Sequence, residues 1–151
     1  MNIKLLDLKL IFALIILLTF SSCDIDSTRT TSMDQFVGLW ELKGRSMLDG
    51  VQIDIRKNDS DQLIGKVKNL NENKYVRLFV EEEDTWVSSI KRSSNSEFKL
   101  SEKKVGNALF ATYGLSTSKE YKVQFIHQDT IALGTKSKDP RKSKVFYIRI
   151  K

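Results

Sequence analysis

The chain has 151 residues, of which 40% are hydrophobic, 29% charged and 9% aromatic, with a net charge of +6 and a single cysteine, histidine and proline. That length suits one ordinary domain. One cysteine excludes an intramolecular disulfide framework and a cysteine-based zinc cage, one histidine excludes a His-Glu-x-x-His helix, and the composition is that of a folded chain rather than a disordered one.

The first predicted element is a targeting helix. Lys4 and Lys9 are followed by an apolar run from Leu10 to Phe20, broken only by Thr19. The run is shorter than the roughly 20 residues that cross a hydrocarbon core. Small residues follow at once, as in a cleaved secretory signal. Phe20-Ser21-Ser22-Cys23 resembles the lipobox of bacterial lipoproteins. The resemblance implies that residues 1–22 are a lipoprotein signal peptide and that Cys23 is the lipid attachment site, carrying palmitate-type acyl chains. It also implies a mature protein held at the bacterial cell envelope, with the outer membrane as the expected location. Two or more acyl chains anchor stably where one alone is marginal. Residues 23–35 are rich in Ser, Thr and Asp, and are expected to form a lipidated tether. At most a helical turn near Ser32–Phe36 leads into the next element.

From residue 36 to 151 the pattern changes to short strands. Ile53 and Ile55 alternate with Asp54 and Arg56, and Tyr121, Val123 and Phe125 alternate with Lys122 and Gln124. In chain order the candidate strands are 37–43, 51–56, 62–69, 75–80, 85–91, 97–102, 108–113, 120–127, 130–136 and 144–150. Turn residues separate them, as in Asp49-Gly50, Asn58-Asp59-Ser60-Asp61 and Ser93-Ser94-Asn95. The connections are too short for helical crossovers, so neighbours should pair antiparallel. The expected fold is all-β, a meander of eight to ten strands that forms either a sandwich or a small closed barrel, with the barrel favoured because closure removes aggregation-prone edges. Gly65 and Gly134 fall within strands, where glycine marks a bulge or bend. In the last strand Phe146, Ile148 and Ile150 form the more apolar face, expected to point inward.

Val37-Gly38-Leu39-Trp40 opens the first strand. A Gly-x-Trp there resembles the lipocalin-like families of the calycin barrels. By that resemblance Gly38 and Trp40 occupy the motif, Trp40 plugs the closed end, and Arg149 of the last strand packs over it. The fold so implied is a lipocalin-like barrel over residues 36–151.

No phosphate loop, nucleophile elbow or metal-ligand spacing appears, so no catalytic residue, metal or cofactor is expected. Glu81-Glu82-Glu83-Asp84 reads as a solvated hairpin tip. The basic loop Lys136–Lys144 reads as a contact for anionic headgroups or an acidic partner, or as a solubilising hairpin; nucleic acid is not an expected partner of an exported protein. Trp40, Ile53, Ile55, Phe98, Tyr121, Val123, Phe125 and Ile148 are the expected inward set. They either line a cup for a small hydrophobic ligand or fill the bore. If a ligand enters, Tyr121 and His127, on one alternation face, would orient its head. The leading expectation is non-enzymatic binding of a small hydrophobic molecule by a lipid-anchored barrel. The alternative is a filled barrel that docks an envelope protein, as an assembly factor or hydrolase inhibitor.

Overall fold

The computed structural model describes residues 30–135 and 138–151. The signal peptide, Cys23, the first part of the tether, and Lys136 and Ser137 of the basic loop lie outside the described residues. Eight antiparallel strands close into a barrel in sequence order. They are β1 (Gly38–Lys43), β2 (Gln52–Lys57), β3 (Leu63–Asn69), β4 (Thr85–Arg92), β5 (Glu97–Lys103), β6 (Ser118–His127), β7 (Thr130–Gly134) and β8 (Phe146–Arg149). A 3-10 turn, Met33–Phe36, precedes β1 and another, Pro140–Lys142, precedes β8. The β3–β4 and β5–β6 connections carry short helices, α1 (Lys74–Arg77) and α2 (Asn107–Thr112).

Two of the expected strands, 75–80 and 108–113, are therefore helical. The Asn73 side chain accepts from the Tyr75 and Val76 amides and starts α1 as an N-cap. The Val80 amide donates to the Val76 carbonyl at 3.0 Å, and both valines are buried while Leu78 between them is 72% exposed; a strand would put all three on one face. In α2, Ala108, Leu109 and Ala111 are strong helix formers. Neither segment has a neighbouring strand to pair with.

Residues 31–35, expected as tether, are docked on the barrel. The Thr31 amide donates to the Asn95 carbonyl at 2.9 Å, Asp34 pairs with Lys57 at 2.8 Å, and Met33 packs against the core. Phe36 is fully buried.

The bore is packed. Trp40, Leu42, Ile53, Ile55, Val67, Phe98, Leu100, Val123, Ile131 and Tyr147 are all completely buried in one contiguous cluster. The β8 face differs from expectation. Trp40 pairs with Arg149 and Leu42 with Tyr147, and directly opposite residues share a face. Since Trp40 and Leu42 point inward, so do Arg149 and Tyr147. Ile148 is 40% exposed. Hydropathy misleads here because the inward residues carry polar tips that find partners inside.

Gly65 sits at a register shift between β3 and β4, but Gly134 pairs in regular register with Lys122. Its role is close packing: a Cβ on Gly134 would strike the Lys138 carbonyl and Pro140. The turn at Pro140 thus covers the outer face of β7, and β7 is buried on both sides. The barrel closes within residues 38–149 and takes its core from Phe36 to Tyr147, so the domain carries its own core.

Candidate functional site

The two ends of the barrel differ. At the closed end the chain crosses from the Met33–Phe36 turn into β1. Phe36 packs edge-on to Phe98 at 4.9 Å and against Phe125 at 4.8 Å, and Trp40 meets Phe125 at 6.2 Å. The Trp40 indole N–H donates to the Phe36 carbonyl at 2.8 Å. The Arg149 guanidinium lies 4.1 Å over the Trp40 ring, the strongest of the cation–π combinations. It also donates to the carbonyls of Val37 and Gln35, at 2.8 Å and 2.5 Å. Gly38 has φ +135°, and a Cβ there would collide with that guanidinium. Glycine is needed at this position for both reasons.

The other end is the mouth, formed by the β1–β2 loop and the two helical connections. Three pockets meet there. One of about 430 Å³ is bounded by Arg45, Met47, Leu48, Tyr75, Val76 and Phe79. One of about 320 Å³ lies between Arg45, Trp86, Lys104, Phe110, Lys119 and Tyr121. A third, of about 400 Å³, runs between Leu78–Glu81 and Lys103–Leu109. Val105 lines all three, and Phe79 separates the first from the third. The volumes fall in the roughly 300–1,000 Å³ range of small-molecule sites. Side chains around the rim stay in water, with Leu78 72%, Leu109 57% and Phe79 53% exposed. Pockets on the outer wall of β2 and β3 are lined by charged residues such as Asp54, Arg56 and Lys68. None of these five pockets is lined by Ile53, Ile55, Phe98 or Val123.

A chain of polar contacts forms the floor of the mouth. The Trp86 indole N–H donates to the Tyr147 hydroxyl at 2.9 Å, and that hydroxyl donates to the Glu102 carboxylate. Glu102 is 3% exposed and receives two bonds from the Arg45 guanidinium, at 2.6 Å and 3.2 Å. Arg45 also lies 4.7 Å over the Tyr121 ring. Burial alone would lower the Arg45 pKa, but the Glu102 carboxylate more than offsets it and the guanidinium is held above its ordinary value. Burial, and then the Glu102 charge, push the Tyr147 phenol well above its ordinary value. With Arg45 bound to Glu102, Lys103, Lys104 and Lys119 give the central pocket an excess of positive charge.

The Tyr147 shift has a consequence for stability. An unfolded tyrosine loses its proton near pH 10, while native Tyr147 keeps it. Its contribution is complete below that pH and is lost as pH rises above it. Denaturant unfolding followed from neutral pH to about pH 11 should show a fall in stability that is smaller in Tyr147→Phe than in the wild type. Equal falls in the two proteins would contradict this.

The expected site residues divide between the two ends. Tyr121 reaches the mouth and lines the central pocket. His127 is exposed at the β6–β7 turn, where its ring accepts from the Asp129 amide at 3.4 Å. Alternation assigns these two residues to one face, but six residues of strand set them about 20 Å apart, at opposite ends. Trp40 and Phe125 belong to the closed-end plug, Ile53, Ile55, Phe98 and Val123 to the packed bore, and Ile148 to the outside. Sequence reasoning missed Arg45, Leu48, Glu102, Val105 and Trp86 as mouth residues. Only Glu102 left a signal, as a carboxylate in phase with Phe98 and Leu100. Among the described residues no three metal-ligating side chains cluster. Glu81–Asp84, expected as a hairpin tip, is instead the turn that leads from α1 into β4, and Glu83 there lies near Lys66 and Lys68. Comparison with family models, curated proteins and solved structures finds no match to this chain.

Proposed function

We propose that the protein is a non-enzymatic binding module, lipid-anchored at Cys23, which takes a small amphipathic molecule at the barrel mouth. The observation that carries this reading is the junction of three pockets at Val105, of which the one lined by Leu48, Val76 and Phe79 has apolar walls and the central one carries Arg45, Lys103, Lys104 and Lys119. An apolar tail would lie against Leu48, Val76 and Phe79, and an anionic head beside the lysines. The packed bore moves the expected cargo from the barrel axis to its rim. The Trp40–Arg149 stack and the glycine beneath it support a lipocalin-like reading of the barrel. The lipobox resemblance supports a place in the bacterial envelope.

Titration of residues 24–151 with a fluorescent fatty acid tests the binding. Saturable binding is expected, and Val105→Glu should weaken it about tenfold or more, the equivalent of 1.4 kcal/mol of lost contact. An unchanged affinity in that variant, or no binding by the wild type, would contradict the proposal. Growth with a radiolabelled fatty acid tests the anchor separately. Label should enter the wild type and not Cys23→Ser; equal label in both would remove the anchor from the account.

A protein-docking reading rests on a different observation. Tyr113 and Leu115 are 72% and 56% exposed beyond α2 and line none of the five pockets. Under that reading Tyr113→Ser with Leu115→Ser would abolish capture of an envelope partner. Under the ligand reading the same pair should leave the fatty-acid titration unchanged.

A further inference from the structure

Lys91, Lys99 and Lys122 stand directly opposite one another on three neighbouring strands, since Lys91 pairs with Lys99 and Lys99 with Lys122. All three are exposed on the outer wall. Like charges in facing positions destabilise a sheet, and this row has two such pairs in succession. The next residue across is Gly134, whose outer face is covered by the segment bearing Lys138, Arg141 and Lys142. The row therefore runs into the described part of the basic loop. Among the described residues its lysines make one carboxylate contact, Lys99 to Glu120 at 3.8 Å. The wall of β2 and β3 is built differently: Asp54 faces Lys66 and pairs with Arg56 at 2.6 Å, and Glu83 lies near Lys66 and Lys68. Lysines often protect sheet edges from mispairing, but a closed barrel has no edge to protect.

We propose that the β4–β5–β6 wall is the face with which the barrel lies on an anionic membrane surface. This rests on the reading of Cys23 as the anchor. The attachment of the chain selects the occupant. Thr31 is held to the β4–β5 turn through Asn95 and through Arg92, whose guanidinium donates to the Thr31 carbonyl at 2.5 Å. That turn lies at the foot of the lysine row. Seven residues lie between Cys23 and Thr31, and the eight steps along the chain reach at most about 29 Å. A lipid on Cys23 thus keeps this turn, and the wall rising from it, close to the headgroups. The basic wall then faces the surface beneath it, and the mouth stays open to one side.

The test is co-sedimentation of residues 24–151, which carry no acyl chain, with vesicles of phosphatidylglycerol and phosphatidylcholine in equal parts. Binding should be salt-sensitive and absent on phosphatidylcholine alone. Lys91→Gln, Lys99→Gln and Lys122→Gln together should weaken it on the order of 100-fold, as three surface charges do. Arg56→Gln, Lys66→Gln and Lys68→Gln together, on the adjoining β2–β3 wall, should weaken it far less. The row variant should melt no lower than the wild type at low salt, because it relieves repulsion; this separates lost binding from lost folding. Equal losses in the two triple variants would overturn the proposal in favour of non-specific charge attraction. No binding to the mixed vesicles would overturn it in favour of an acidic protein partner. Neither result depends on the fatty-acid titration at the mouth, so failure of one reading is distinct from failure of the other.

Discussion

Trp40→Ala should lower the stability of the domain by about 3–5 kcal/mol, the range of large-to-small changes at fully buried aromatic positions. The size follows from what the ring holds together. Trp40 is completely buried. Its removal opens a cavity beneath the Phe36, Phe98 and Phe125 cluster, takes the donor from the Phe36 carbonyl and leaves Arg149 without the ring it covers. It also loosens the contact between β1 and β8, the pair that closes the barrel. Trp40→Phe keeps a ring under the guanidinium and should lose much less. Equilibrium unfolding in urea measures both. A Trp40→Ala midpoint equal to that of the wild type would mean that the barrel does not depend on its plug.

Glu102→Ala is expected to be comparably severe, at about 3 kcal/mol, because breaking a buried ion pair leaves its partner uncompensated. Two groups lose their acceptor at once, the Arg45 guanidinium and the Tyr147 hydroxyl, and Tyr147 is fully buried. Glu102→Gln retains one oxygen acceptor for Tyr147 but removes the charge and one of the two oxygens that accept from Arg45, so it should lie between Ala and wild type. The loss in Arg45→Ala with Glu102→Ala should be smaller than the sum of the two single losses, since the second removal relieves a charge stranded by the first. Strict additivity, measured by the same urea unfolding, would show that the pair does not act as a unit.

The strand framework was legible in the sequence because most strands alternate over a half-buried surface, as Ile53 and Ile55 do on β2 and Tyr121 and Val123 on β6. It failed where an apolar run had no partner strand. In Tyr75–Val80 and Ala108–Tyr113, short helices at the mouth expose residues such as Tyr75, Leu78 and Tyr113, and hydrophobicity alone does not separate such a run from a strand. On β8 it failed because alternation weighs only hydropathy. Tyr147 and Arg149 point inward because Glu102, Trp86 and Trp40 supply their partners, and those partners are far away in sequence. The mouth was the least legible part. Arg45, Val105 and Trp86 sit on separate segments; the antiparallel order sets them at one end, and only the closure of the barrel brings Arg45 against the other two.

The proposed ligand site lies at the mouth, above a packed bore. Titration of the isotope-labelled domain with dodecanoate, followed through the backbone amide resonances, tests it most directly. Saturable shifts are expected at Arg45–Leu48, Phe79 and Lys103–Leu109, with Ile53, Ile55, Phe98 and Val123 unmoved. Shifts centred on those bore residues, or no saturable shift anywhere, would contradict it.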